Sequence, residues 1–224
     1  MSTSLIIPAL NEAESLGILL AEIPTQMVDE LIVVDNGSTD QTALVARQAG
    51  AQVVTEPRRG YGFACAAGAA KASSAVLAFM DGDGSFLPAE LPALLAPLEQ
   101  GQADLVLGSR TMDVLQPITM PPHQRLGNDL FTWLLHQRFG LAITDLGPFR
   151  TIRREILLEL EMREFTYGWP LEMILKTARR SLPIVEVPIS YRLRFAGQSK
   201  VSGTLRGTLL TAYRYSRVML RYAF

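Results

Sequence analysis

Apolar residues in the first half of the chain keep two rhythms in turn. Short runs at Leu5-Ile6-Ile7-Pro8, Leu31-Ile32-Val33-Val34-Asp35, Gln52-Val53-Val54-Thr55, Val76 to Asp81 and Leu105-Val106-Leu107-Gly108 have the length of strands and are mostly unbroken, as strands covered on both faces should be. Between them, apolar residues recur at helical spacing. Leu16, Leu19, Leu20 and Ile23 form one stripe, ended by Pro24, with Asn11 placed to cap the helix and Glu12 and Glu14 in its first turn. Ser38 or Thr39 caps a second helix through Ala49. A small-residue helix spans Phe63 to Ala72, its Gly68 suited to close approach of helix to sheet, and another spans Glu90 to Gln100. Such alternation with short connections predicts an α/β fold with a parallel sheet and helices on both faces.

After Ser109-Arg110 the alternation stops. Thr111 to Pro122 reads as a loop and His123 to Phe139 as a helix. Thr144 to Arg150 is compact and polar, Arg153 to Leu160 and Pro170 to Arg180 read as helices, and Leu182 to Arg192 reads as a strand in which Val185, Val187 and Ile189 alternate. Phe195 to Gly203 is a loop rich in glycine and serine. The chain closes with a helix from Leu205, on which Arg206, Arg214, Arg217 and Arg221 fall within about an 80° sector. Leu205, Leu209, Ala212, Tyr213, Met219 and Leu220 lie beside that sector, the pattern of a helix resting on a membrane interface. The alternative for this helix is packing on its own domain or on a second copy of the chain.

The bulk properties narrow the class. The chain has 224 residues, 48% hydrophobic and 19% charged, which suits one folded domain. A net charge of −1 argues against a nucleic-acid partner. The single cysteine, Cys65, excludes an internal disulfide framework, and His123 and His136 read as surface or packing histidines. The start of the chain lacks a signal-peptide pattern, and no apolar run is long enough to span a bilayer, so the expected location is the cytoplasm or the inner face of the membrane.

Chemistry concentrates at strand ends. In α/β sheets ligands bind beyond the carboxyl ends of the strands. Pro8-Ala9-Leu10-Asn11-Glu12, Asp35-Asn36-Gly37-Ser38 and Asp81-Gly82-Asp83 all stand there. Two carboxylates one residue apart repel unless a cation intervenes, and hard oxygen ligands suit Mg²⁺ or Mn²⁺ bound with substrate phosphates. Alone, Asp-Gly-Asp-Gly is equally a polar turn. The glycine cradles GxGxxG and GxxxxGK[ST] are both missing from the first strand–helix junction, so a diphosphate there would need a metal.

The set Ile6-Ile7-Pro8-Ala9-Leu10-Asn11-Glu12, Val34-Asp35-Asn36-Gly37-Ser38-Thr39-Asp40, Asp81-Gly82-Asp83 and Gly108-Ser109-Arg110 resembles the family-2 glycosyltransferases of the GT-A fold. Asp145-Leu146-Gly147-Pro148-Phe149-Arg150 and Arg194-Phe195-Ala196-Gly197-Gln198-Ser199-Lys200 resemble the dolichyl- and polyprenyl-phosphate sugar synthases, nearest the type that uses UDP-glucose. The resemblance implies a single GT-A domain over 1–204, with a nucleotide-sugar half (1–110) and an acceptor half (111–204), followed by an amphipathic helix over 205–224. It implicates Pro8, Ala9, Asn11, Glu12, Asp35, Gly37, Asp81 and Gly82 in holding the nucleotide, with Asp83, and Asp81 beside it, on Mg²⁺ or Mn²⁺. Ser85 stands where mannose synthases often carry a glutamine ligand.

The expected partners are a nucleotide-sugar donor and a lipid-phosphate acceptor, with peripheral membrane contact through the closing helix. Arg125, Arg150, Arg194 and Lys200 are the cations available to clamp the acceptor phosphate, with Arg110, Asp145 and Ser199 on the substrate side. A phosphate monoester is already ionised near neutral pH and can attack the sugar C1 without a strong base. Glu172 is a candidate base for a hydroxyl acceptor, or simply a glutamate favoured at a helix start. A soluble hydroxyl acceptor, and a nucleotide-sugar binder without catalysis, are the competing expectations.

Overall fold

The computed structural model describes residues 1–24, 26–112, 120–197 and 205–223. Seven strands form one sheet: β1 (Thr3–Ala9), β2 (Glu30–Asp35), β3 (Gln52–Thr55), β4 (Val76–Phe79), β5 (Leu105–Ser109), β6 (Arg150–Arg153) and β7 (Ile184–Pro188). Their spatial order is β3-β2-β1-β4-β6-β5-β7. Around them lie α1 (Ala13–Ala21), α2 (Thr42–Gln48), α3 (Tyr61–Lys71), α4 (Leu91–Glu99), α5 (Pro122–Phe139), α6 (Arg154–Glu159), α7 (Trp169–Arg179) and α8 (Leu205–Tyr222).

The expected parallel sheet holds for β1 to β4 and for the β5–β7 pair. The departure is β6. It runs antiparallel between β4 and β5, pairing Phe79 and Leu107 with Arg150 and pairing Leu77 and Leu105 with Ile152. It occupies the end of the segment expected to be irregular and the first residue of an expected helix, which begins instead at Arg154. The sequence Arg-Thr-Ile-Arg does not read as a buried strand because its polar atoms are satisfied by distant partners. Thr151 Oγ1 donates to the Leu94 carbonyl at 2.8 Å, and Arg153 binds Asp104 and the Leu98 carbonyl. Residues 1–110 and 111–204 are therefore interleaved in one sheet.

Side-chain alternation divides the core in two. Ile6, Ile32, Val34, Leu77, Phe79, Leu105, Leu107 and Ile152 face one side with residues of α3, α5, α7 and α8. Leu5, Ile7, Val33, Val76, Ala78 and Val106 face the other with α1 and α4. Gly68 keeps the expected close approach: a Cβ there would collide with the Ile6 side chain. The closing helix resolves into two faces. Val218, Met219 and Ala223 are buried in the core, whereas Leu209, Leu210, Tyr213 and Leu220 are exposed. Among the described residues, no helix is long and apolar enough to cross a membrane.

Candidate active site

The carboxyl ends of β1, β2 and β4 form one rim. Register places Ala9 beside Asp35, so the two strand-end motifs touch where the sequence put them. Asn11 does not cap its own helix. Its backbone has φ of 51°, its Oδ1 accepts the Thr39 N–H at 2.8 Å, and its own N–H donates to Ser38 Oγ at 2.9 Å. Capping passes to Asp40, ahead of the expected Ser38 or Thr39. Its carboxylate accepts N–H bonds from Thr42 at 3.0 Å and from Ala13 at 3.1 Å, serving the starts of both α2 and α1. Burial raises its pKa, but the Thr42 hydroxyl, which also donates to this carboxylate, and these N–H groups outweigh it and hold it below the ordinary range.

Asp35 Oδ1 accepts the Ser38 N–H at 3.0 Å, a turn made possible by the positive φ of 81° at Gly37. Asn36 ties this turn to the next loop, donating to the carbonyls of Glu56 and Arg58 and accepting the Gly60 N–H at 2.9 Å.

Asp81 and Asp83 stand just past β4. Gly82 between them lies against β1, with Ile7 and the Pro8 carbonyl within 3.4 Å of where a Cβ would be. Asp81 is pushed up to about 7, first by burial and then by the charge of Asp83, against the opposing influence of Tyr61, Arg110 and Arg150. Its Oδ1 is buried and has no hydrogen-bond partner among the described residues. Asp83 Oδ1 accepts both the N–H and the hydroxyl of Ser85, at 3.0 and 2.6 Å. Ser85 thus orients Asp83. On the other side, Arg194 Nη1 lies 3.8 Å from Asp83 Oδ2, and Nη2 donates to both Glu12 carboxylate oxygens at 3.0 and 3.1 Å. The segment carrying Arg194 is fastened along this turn. The Phe195 N–H donates to the Asp83 carbonyl, and the Arg192 N–H and Nε donate to the carbonyls of Ser85 and Gly84. The Phe195 ring fills the space that a side chain at Gly84 would need.

The donor set fits a divalent cation. Two carboxylates one residue apart face one cavity, and one holds a buried oxygen with no partner of its own. Among the described residues no cluster of three or more acidic, histidine or cysteine ligands exists. An ion here would complete its coordination with substrate phosphate oxygens and water, the habit of Mg²⁺ and its near analogues.

A cavity of about 280 Å³ opens from Asp81 and Asp83 and runs between α5 and the first half of α8. Its walls are notably aromatic, with Tyr61, Phe131, Tyr167, Tyr191 and Tyr215. Two shallower grooves, of about 430 and 350 Å³, lie on α7 and the far end of α8 and include none of the rim carboxylates. Arg110 enters the cavity wall from the end of β5. Its Nε and Nη2 bind Asp145 at 2.7 Å each, and its guanidinium lies over the Tyr191 ring at 5.1 Å. Burial would lower the Arg110 pKa and raise that of Asp145. Their mutual attraction reverses both, so the pair stays charged.

Other expected positions are placed differently. Arg150 reaches the cavity wall, but its guanidinium is buried and donates to the carbonyls of Leu146, Gly147 and Pro170, which makes it a brace joining β6 to α7 instead of a phosphate clamp. Glu172 is fully buried away from the cavity lining. It accepts the N–H groups of Arg163 and Glu164 and pairs with Lys176 at 2.9 Å, so it anchors a loop and cannot meet a substrate hydroxyl. Arg125 is exposed on α5, whereas its neighbours Gln124, Gly127 and Asn128 line the cavity. His123, expected at the surface or in packing, also reaches that lining. Ser199 and Lys200 lie outside the described residues. The sequence reading missed Tyr61, Phe131, Tyr191 and the α8 residues Thr208, Thr211, Ala212 and Tyr215. The last four share one helical face, a signal the arginine sector obscured.

The mostly parallel seven-stranded sheet, with the Asp81-Gly82-Asp83 turn at its rim, has the GT-A fold of glycosyltransferases. The match to known proteins takes this further. The model of glycosyl transferase family 2 matches residues 4–160, and the chain belongs to that family. An uncharacterized glycosyltransferase of Mycobacterium tuberculosis is 41% identical over 218 residues, covering 97% of this chain and 98% of that protein. A dolichyl-phosphate hexose transferase of Haloferax volcanii is 35% identical over 194 residues, covering 85% and 82%. Among solved structures, glucosyl-3-phosphoglycerate synthase of M. tuberculosis, in complex with Mn²⁺, UDP-glucose and phosphoglyceric acid, superposes with a TM-score of 0.78 at 23% identity, covering 99% of this chain and 79% of that one. The chain is a glycosyltransferase related to polyprenyl-phosphate sugar transferases.

Proposed function

We propose that the protein transfers a hexosyl group, with inversion, from a nucleotide sugar of the UDP-glucose kind to the phosphate of a polyprenyl or dolichyl lipid. The observation that carries this reading is the single cavity joining the acidic pair Asp81 and Asp83 to the buried Arg110 and a wall of aromatic side chains. The relatives named as lipid-phosphate sugar transferases support the acceptor class. Pro8, Ala9, Asn11, Glu12, Asp35, Gly37 and Gly82 form the nucleoside side of the rim.

Asp83, with Asp81, would hold Mg²⁺ or Mn²⁺, which supplies positive charge to the departing diphosphate. Ser85 fixes the Asp83 carboxylate, and Arg194, expected on the acceptor phosphate, stands instead between Glu12 and Asp83 and is assigned to the diphosphate as a second cation. On the acceptor side Arg110 presents positive charge held rigid by Asp145, and Ser199 and Lys200 follow in the same segment as Arg194. A lipid phosphate is a dianion above about pH 6 and needs no base. A phosphate oxygen bonds to C1 as the C1–O bond to the diphosphate breaks, and the nucleoside diphosphate leaves with that electron pair. Tyr61, Tyr167, Tyr191 and Tyr215 exclude water, which would otherwise hydrolyse the donor. The closing helix α8 brings the site to the membrane that carries the acceptor.

The test supplies UDP-glucose, UDP-galactose or GDP-mannose with Mn²⁺ or Mg²⁺, and either a short, soluble prenyl phosphate or phosphoglycerate. Nucleotide release that requires prenyl phosphate, with formation of a glycosyl prenyl phosphate, is the expected result. Transfer to phosphoglycerate instead overturns the acceptor assignment, and no turnover with any donor overturns the reading as a whole.

A further inference from the structure

We infer that Glu186 is a positioning residue for Arg110, acting through the segment 144–146 that carries Asp145, and that it thereby sets the affinity for the acceptor phosphate. That consequence rests on the proposed function, which puts Arg110 on the phosphate. The placement of Arg110 rests on the geometry alone.

Arg110 has little freedom of its own. Its Nε and Nη2 lie 2.7 Å from the two Asp145 oxygens, its backbone N–H donates to Asp145 Oδ2 at 2.9 Å, and its guanidinium lies over the Tyr191 ring. A forked pair of this kind holds only while both partners keep their relative place and orientation. Asp145 belongs to no helix or strand, so its place depends on what holds the segment around it.

Glu186 supplies that hold from β7. Register sets it beside Leu107 on β5, three residues before Arg110. Oε1 accepts the Asp145 N–H at 2.8 Å, and Oε2 accepts the Thr144 N–H at 2.8 Å and the Thr144 hydroxyl at 3.1 Å. Both carboxylate oxygens are thus spent on this segment, and one grips the residue that binds Arg110. Burial pushes the Glu186 pKa up in spite of these bonds, so the charge is kept there at a cost in solvation.

Other contacts complete the frame. Asn128 on α5 donates from Nδ2 to the Thr144 carbonyl at 2.8 Å and accepts the Leu146 N–H at 3.0 Å, and the hydroxyls of Ser109 and Thr144 lie 2.7 Å apart. Gly147 presses on β5, where an added Cβ would stand 2.9 Å from Leu107 Cβ. Arg110 and Asn128 line the cavity, but Glu186 does not. A change at Glu186 therefore reaches the cavity only by way of Asp145 and its neighbours. Its hydrogen bonds go to Thr144 and Asp145 and not to the rim residues Asp35, Asp81 and Asp83, so acceptor affinity should move while donor affinity stays.

The soluble prenyl phosphate assay is run on the full chain carrying Glu186→Ala or Glu186→Gln. The expected KM for prenyl phosphate is raised about tenfold or more in Glu186→Ala and about threefold in Glu186→Gln, which keeps one accepting oxygen, with kcat within about twofold. The Kd for UDP with Mn²⁺, from calorimetry, should stay within about twofold of the parent. A support that served stability alone would lower the melting temperature and leave KM unmoved, so an unchanged KM, or a fall confined to kcat, overturns the inference. Arg110→Lys keeps the charge but not the fork. In that background Glu186→Gln should raise KM no further, and independent, multiplying effects overturn the coupling. Arg110→Lys also identifies the Arg110 Nε–H signal in ¹⁵N NMR as the one it removes. That proton should exchange with water about fivefold faster or more in Glu186→Gln than in the parent. Equal exchange overturns the placement, even where Glu186→Ala fails to fold. No transfer by the parent with any acceptor removes the proposed function, and the exchange rate then decides the placement of Arg110 on its own.

Discussion

The acidic rim and the aromatic cavity are built by opposite means. On the rim, carboxylates are held by neighbours in sequence: Asp35 by Ser38, Asp40 by Thr42, Asp83 by Ser85. In the cavity, cations are held by distant partners: Arg110 by Asp145 and Arg150 by Pro170. The first kind needs only a turn at a strand end. The second needs the whole fold. The difference teaches that mutations on the two sides should fail differently, the rim losing activity in an intact protein and the cavity losing the protein itself.

The largest effect falls on the cavity side. Asp145→Ala leaves the Arg110 guanidinium buried without its counter-charge, and removing one partner of such a pair costs about 3–5 kcal/mol. Chemical denaturation should show that loss directly, and an unchanged midpoint would break the comparison. Next is Asp83→Ala, with transfer falling at least about 100-fold, of the order seen when one stabilising group for developing charge is removed. Its melting temperature should stay at or above that of the parent, because the substitution relieves the repulsion on Asp81.

Glu172→Gln sharpens the contrast. As an anchor for the 163–164 turn it should lower stability by about 1–3 kcal/mol, the range for an imperfectly satisfied buried group, and leave the rate per folded molecule within about threefold. A large loss of rate with unchanged stability would restore it as a base. The smallest effect is one of pH. Glu30 is held down to about 2, chiefly by the Ser4 hydroxyl and then by the Ser73 N–H. A carboxylate lowered from 4.5 in this way adds stability that is complete above about pH 4.5 and is lost as pH falls towards 2. Glu30→Gln should flatten that part of the pH–stability curve and leave neutral pH little changed apart from the lost hydrogen bonds.

Legibility in the sequence followed the same division. The strands β1 to β5, their helices and the acidic rim could be read because periodicity and turn chemistry are local. The order of β6 in the sheet could not, since Arg150, Thr151 and Arg153 look like surface residues until their partners Pro170, Leu94 and Asp104 are in place. Likewise Glu172 at a helix start and Arg150 at the end of a family-like motif both suggested chemistry, and buried contacts turned both into braces. The aromatic wall was invisible for the same reason. Tyr61, Tyr167, Tyr191 and Tyr215 come from four separate segments and share no spacing.

The reversed strand β6 also orders the life of the chain before it is a catalyst. As synthesis proceeds, β1 to β4 can pair with one another as they emerge, but β4 and β5 are not neighbours. The hydrogen-bonding edge of β4 stays open until residues 150–153 arrive, some seventy positions after it was made. During that interval a buried apolar strand is available to any other chain with an unpaired edge. The wedge that joins the early strands to the later chain thus makes residues 1–110 dependent on β6 for their solubility, and a chain broken before β6 should find aggregation before it finds a fold.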